Sequence, residues 1–337
     1  MSPVAADIRP IVVRVFPSAI ALCVLACVLA AAAGYGWFGQ SPDYSAYLSV
    51  YDQLRPHDLL SNYRFERGYM FASWVCKFYL GMEFAQYYTL LAAVSLLLKF
   101  RLLWRHTSAP LVAAFVYLVF LYPISEYTQL RAAVAFAFAF TAIDEYLGGR
   151  WFSALALLAV AVTFHSSAVV LGGGAVAVLL VRNRTPVFVA CFFGLMAAAA
   201  SLLISAAVHF LQRVNPFVST YINKAFLNQP PNLFSGQNIL LFLLTLSSAI
   251  FLRPWQRRDD GFFYYVSFWT LIAYVAFLRI PVFAHRISEA FIFSYFLFAF
   301  RFDDFHRSRI PAYLIILTGA WMFYKSIVEG VLLVYNR

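Results

Sequence analysis

Charge is scarce in this sequence. Asp, Glu, Lys and Arg together make up 12% of the 337 residues, against about 25% in a soluble domain. A soluble chain of this length needs charge to cover its surface, so one this poor in it is covered by lipid. Cysteine is scarce as well. Cys23, Cys27, Cys76 and Cys191 form no C-x-x-C pair, which argues against a disulfide framework and a zinc site. Phosphate loops, dinucleotide fingerprints, H-E-x-x-H and G-x-S-x-G are all missing, so no nucleotide site, metal or cofactor is expected. There is no internal repeat and no low-complexity tract.

What is present is apolar. Hydrophobic residues fill 63% of the chain, and Phe alone occurs 36 times. The net charge of +10 does not mark a nucleic-acid partner. Its Lys and Arg fall in small groups between long apolar runs, the pattern that orients a chain in a membrane.

A helix crosses a bilayer with about 20 apolar residues. On that scale the candidate spans are 12–34, 84–104, 108–124, 131–148, 151–166, 167–181, 186–211, 237–253, 262–279, 286–303 and 310–332. The expected fold is an all-α polytopic membrane protein, one domain over 1–337, with about eleven transmembrane helices. The run from 12, with Arg9 and Arg14 beside it, reads as an uncleaved first helix, with a signal peptide cleaved near Ala31 to Ala33 as the alternative. Residues 151–181 read as two short spans turning near His165 to Ser167. A single helix of that length would be about 46 Å long, too long for the hydrocarbon core. With the N-terminus inside, more than half of the 25 basic residues gather at the inner ends, Lys99, Arg101, Arg105 and Arg150 among them. The C-terminus then lies outside. Two outer segments are long, 37–83 and 212–237. In the first, Tyr44, Tyr47 and Tyr51 share one helical face, and Tyr69 to Met82 reads as an interfacial or re-entrant helix.

Orientation explains the inner basic residues and leaves the outer ones unexplained. Arg131, Arg279 and Arg286 sit at outer ends of spans, and Arg64 and Arg67 lie in the first outer segment. One such Arg snorkels to headgroups as a matter of course. Several on the disfavoured side point to a basic cluster that grips phosphate, because the guanidinium fork makes paired bonds to phosphate oxygens and stays charged. His165, at the outer turn, is either a general base or a histidine bonded to a neighbouring helix. Glu66 either pairs with an Arg or takes a proton from a sugar hydroxyl. Tyr44 and Tyr47, with Asp43, either contact a sugar or belong to an interfacial aromatic belt. The outer acids also include Asp52, Asp58, Glu83 and Glu126.

The order of these elements resembles a known family. Asp43-Tyr44-Ser45-Ala46-Tyr47 follows the first span, then Glu66-Arg67-Gly68-Tyr69. Leu130-Arg131-Ala132-Ala133 opens a span, Phe164-His165-Ser166-Ser167-Ala168 closes the next, and Ala284-His285-Arg286-Ile287 opens a late one. Together they resemble the EpsG family, within the wider group of Wzy-type polysaccharide polymerases, over about 40–303. The family's usual Arg-Gln is Arg131-Ala132 here, which puts any role of the missing amide in doubt.

The resemblance implies a multi-pass protein of the bacterial inner membrane with its site facing the periplasm. It implies an undecaprenyl-diphosphate-linked oligosaccharide as partner, with membrane lipid around it and room for a chain-length regulator. The implied activity is a metal-independent glycosyltransferase joining repeats of O-antigen, capsule or exopolysaccharide. On this reading Glu66 and His165 are catalytic. Arg131, Arg279, Arg286, Arg64 and Arg67 bind diphosphate, and Asp43, Tyr44 and Tyr47 contact the glycan. A lipid-linked glycan flippase and a membrane acyltransferase are the competing classes. A flippase needs polar groups through the membrane centre, whereas here the span centres read as apolar.

Overall fold

A computed structural model describes residues 9–57, 65–181, 186–214, 236–253, 258–276, 281–300 and 309–324. Among the described residues the chain is helical throughout, with thirteen α-helices and no strand. These are α1 (Arg9–Gly34), α2 (Pro42–Gln53), α3 (Arg67–Trp74), α4 (Phe84–His106), α5 (Pro110–Phe120), α6 (Leu130–Leu147) and α7 (Trp151–Phe164). There follow α8 (Ala168–Val181), α9 (Pro186–Val214), α10 (Gly236–Ser247), α11 (Arg258–Ala276), α12 (Pro281–Ala299) and α13 (Arg309–Phe323). Single π-helical turns extend α3 over Val75–Tyr79 and α10 over Ser248–Leu252.

In its described residues each expected span overlaps one of these helices, because a long apolar run satisfies its backbone only as helix. The turn expected at His165 to Ser167 is present. His165 is extended (φ −158°, ψ 128°), and Leu158 meets Gly172 across the turn, so α7 and α8 fold back on each other. The count of spans is not reproduced by length and composition. Among the described residues two helices pass that test, Pro17–Gly34 and Phe84–His106, and eight more contribute apolar stretches of 10–17 described residues. Helix α6 fails because Arg131, Asp144 and Glu145 interrupt it.

The site-bearing half is built on α4. Helix α1 lies so close that a Cβ on Gly34 would stand 2.8 Å from the backbone nitrogen of Thr89. Helices α4 and α6 run parallel. Ser95 Oγ donates to the carbonyl of Ala133 (3.0 Å), and ten residues further on Arg105 pairs with Asp144. Near that end His106 Nε2 meets Asp144 Oδ1 (2.9 Å), and Arg101 and Arg150 share Glu145. The basic residues read as orientation signals are therefore also tied to two acids of α6.

Two expectations are corrected here. Lys99 is not an inner-end charge, and Glu126 is not an acid of an outer loop. They form an ion pair at 2.7 Å, with side chains 2% and 0% exposed. Helix α5 ends at Phe120, well short of the expected boundary at 124, and residues 121–129 turn inside the protein. The centre of the bundle is therefore not purely apolar.

Candidate functional site

The described residues of segment 37–83 are held on the bundle by aromatic rings. The tyrosine face of α2 turns inward. Tyr44 packs on Phe84 and Tyr88, Tyr47 on Phe65, Tyr69 and Tyr88, and Tyr51 stacks on Tyr87. Their hydroxyls are used as well, Tyr44 donating to Gly34 O (3.0 Å) and Tyr51 to Met82 O (2.7 Å). Burial, with Cys76 and Asp52 nearby, pushes the Tyr51 hydroxyl up to about 12, so it remains a donor at neutral pH. Lys77 closes the far end of α2. Its ammonium donates to the carbonyls of Tyr51 (2.7 Å), Asp52 (2.8 Å) and Leu54 (3.2 Å), where a helix leaves carbonyls without partners.

This frame brings three distant motifs to one point. Helix α3 packs on the end of α7, and a Cβ on Gly68 would lie 2.7 Å from both Cβ and O of Thr163. Only glycine allows that approach, which sets Glu66 beside the α7–α8 turn. Glu66 Oε2 accepts from Arg131 Nη1, and Glu66 Oε1 lies 3.9 Å from His165 Nε2. The Arg131 guanidinium lies over Phe65, 4.0 Å from the ring centroid, with Tyr47 at 5.6 Å and Tyr69 at 5.9 Å. Such faces attract a cation and hold its plane. The side chains of Arg131, His165 and Glu66 are 15%, 15% and 25% exposed, so the cluster is recessed but open.

The histidine tautomer follows from its bonds. The Ser167 backbone N–H donates to His165 Nδ1 (3.2 Å), and Ser167 Oγ lies 2.5 Å from the same atom. A nitrogen that accepts carries no proton, so the neutral ring holds its proton on Nε2, facing Glu66. That N–H faces the carboxylate across 3.9 Å, too far for a direct hydrogen bond.

The remaining expected residues fall as follows. Arg67 is exposed at the start of α3, and Asp43 is partly exposed in the first turn of α2. Tyr44 is buried in the aromatic core and Tyr47 lies beneath Arg131. Arg64 and Arg279 lie outside the described residues. Arg286 belongs to α12, whose described side chains begin at Glu289.

One contact at this end went unanticipated. Gln129, the residue before α6, donates from Nε2 to Glu289 Oε2 (2.9 Å). The signal was available, since Glu289 follows Arg286 by one helical turn. Among the described residues there is no cluster of three or more His, Cys, Asp or Glu side chains placed to hold a metal.

Comparison with known proteins gives one match. The model of the EpsG family covers residues 19–336. No curated protein and no solved structure matches. The match runs through every element of the site, from α2 past Arg286 in α12. With its run of apolar helices, this is a membrane protein, and the chain belongs to the EpsG family, a group linked to polysaccharide synthesis.

Proposed function

We propose that this protein is a glycan polymerase of the bacterial inner membrane, with about eleven spans, its N-terminus in the cytoplasm and the Arg131 cluster at the periplasmic face. It transfers an undecaprenyl-diphosphate-linked oligosaccharide from its lipid to the non-reducing end of a second lipid-linked repeat. The observation that carries this is the meeting of Arg131, Glu66 and His165. One fixed cation and one carboxylate share a recessed, aromatic-walled spot at the end of α6 opposite the Asp144 and Glu145 pairs.

The geometry suits the chemistry. An acceptor hydroxyl attacks the anomeric carbon of the donor's reducing-end sugar. The bond from that carbon to the phosphate oxygen breaks, and undecaprenyl diphosphate leaves with the electron pair. Positive charge fixed beside the leaving group favours the transition state without a metal. Arg131 suits this because its side chain is still 15% exposed beside Glu66, and a guanidinium makes paired bonds to phosphate oxygens. A phosphate oxygen taken by Arg131 competes with Glu66. Glu66, once released, accepts the proton of the attacking hydroxyl, while His165 Nε2–H orients it. Arg286, Arg279, Arg64 and Arg67 complete the proposed diphosphate site, and Asp43 and Tyr47 border the glycan path. Tyr44 serves it only from the core.

A flippase would need a polar path through the bundle. The Lys99–Glu126 pair is the obvious polar centre there, but it is closed over by Tyr117 and buried on both sides, so it offers no such path. The test is a glycan gel from cells carrying Arg131→Ala. Long chains should vanish while single capped repeats persist. Chains of normal length would overturn the site, and loss of the single repeat would indicate a flippase or an earlier step.

A further inference from the structure

We infer that the buried Lys99–Glu126 pair is a positioning device that sets the two arginine-bearing helix starts of the site. The inference rests on reading Arg131 and Arg286 as diphosphate ligands. Its structural basis is residues 121–129, the turn between α5 and α6. Backbone outside regular helix survives at membrane depth only where protein encloses it, and here the enclosure is specific.

The Glu126 carboxylate accepts from Lys99 (2.7 Å), from Ser95 (2.8 Å), and from Tyr117 at both oxygens (2.8 and 2.6 Å). Lys99 also donates to Ser125 Oγ (3.0 Å). The Tyr88 hydroxyl spans the carbonyls of Glu126 and Tyr127 (both 3.2 Å). The turn is thus fastened to α4 and α5 at consecutive residues.

It leads directly to the site. Three residues beyond Glu126, Gln129 bonds Glu289 on α12, one turn past Arg286. Two residues beyond Gln129 stands Arg131. A cavity of about 20 Å³ adjoins Lys99, Ser125, Gln129 and Glu289, with Leu121, Ile124, Phe136 and Phe293 also in its wall, so apolar packing at this junction is incomplete and the polar contacts lie beside the gap. A buried ion pair adds little net stability over a well-fitted apolar pair, but it does fix register. That is the property needed where a turn must place a guanidinium against a carboxylate contributed by another segment.

The test uses the full-length protein in lipid nanodiscs, with Lys99→Met/Glu126→Met, which removes both charges together. Three quantities are measured: thermal melting, amide exchange along the chain, and binding of undecaprenyl diphosphate. The expected variant melts within a few degrees of the wild type. Its amides over 121–135 exchange at least tenfold faster, those of α1 and α7 are unchanged, and the lipid diphosphate binds at least tenfold more weakly. Unchanged exchange over 121–135 overturns the inference, as does unchanged binding beside a wild type that binds. A wild type that does not bind overturns the polymerase reading instead, and exchange alone then decides the positioning role. Should the double variant not fold, Tyr88→Phe removes only the hydroxyl on the turn. It should raise exchange there at least threefold, and no rise overturns the inference.

Discussion

In the proposed mechanism Glu66 is the residue on which the chemistry turns, because it faces two partners with different demands. Arg131 holds it as a counter-ion, and His165 lies 3.9 Å away with Nδ1 engaged by Ser167. With Nδ1 committed to Ser167, His165 is poorly placed to take a proton, so the base is assigned to Glu66. Glu66→Gln keeps the shape and the contact to Arg131 but removes the basicity, and should slow elongation by about 10²–10⁴-fold. His165→Gln, which retains a donor near the position of Nε2, should cost less than Glu66→Gln. Rates of repeat addition by purified protein settle the order, and a His165→Gln variant as inactive as Glu66→Gln would move the base to His165. Both residues were legible in the sequence as candidates, Glu66 as an acid just before a short apolar helix and His165 as a polar break between two apolar runs. That Arg131 is the partner of Glu66 was not, since a contact across 65 residues leaves no local pattern. Lys99 was misread for a related reason. Composition places a Lys near a span end but cannot distinguish an ammonium that snorkels to water from one that meets a carboxylate inside the protein.

At the scale of elements, the decisive contact is the one made by Gly68. Helix α3 is only eight residues long with a π-turn behind it, too short to hold a position by itself. Its placement comes from the close approach to Thr163 and from the Tyr47, Phe65, Tyr69 and Tyr87 rings. Gly68→Val should push α3 from α7 and carry Glu66 away from His165. The expected result is loss of elongation by at least tenfold with normal insertion and yield. Disulfide trapping between cysteines introduced at Glu66 and Ser166 would report the shift, and equal trapping with and without Gly68→Val would refute it. The tyrosine face of α2 shows what periodicity can and cannot tell. Spacing put Tyr44, Tyr47 and Tyr51 on one face, and they are. It could not say what the face meets, and the answer is the protein's own core.

For the whole molecule, apolar runs fixed by hydrocarbon thickness located every expected span as a helix. Helices of 14 residues, such as α7 and α8, are short for a crossing. The prediction is definite. Reporter fusions after Arg105 and after Arg150 should report the cytoplasm, and a fusion within 215–235 the periplasm. A cytoplasmic signal from 215–235 would invert the orientation and remove the site from the face where lipid-linked repeats await joining.

The Arg131–Glu66 pair has one more consequence. An unpaired guanidinium at an outer face would attract any passing anion, and chloride or free phosphate would occupy it much of the time. Here the cation already has its counter-ion, and a carboxylate tethered in the same protein is present at high effective concentration. A dilute monoanion gains little by displacing it. A ligand with two linked phosphates, held in place by its own lipid tail, brings enough charge and local concentration to compete. On the proposed function, resting neutrality would work as a filter that favours an anion anchored in the same bilayer over the soluble ones.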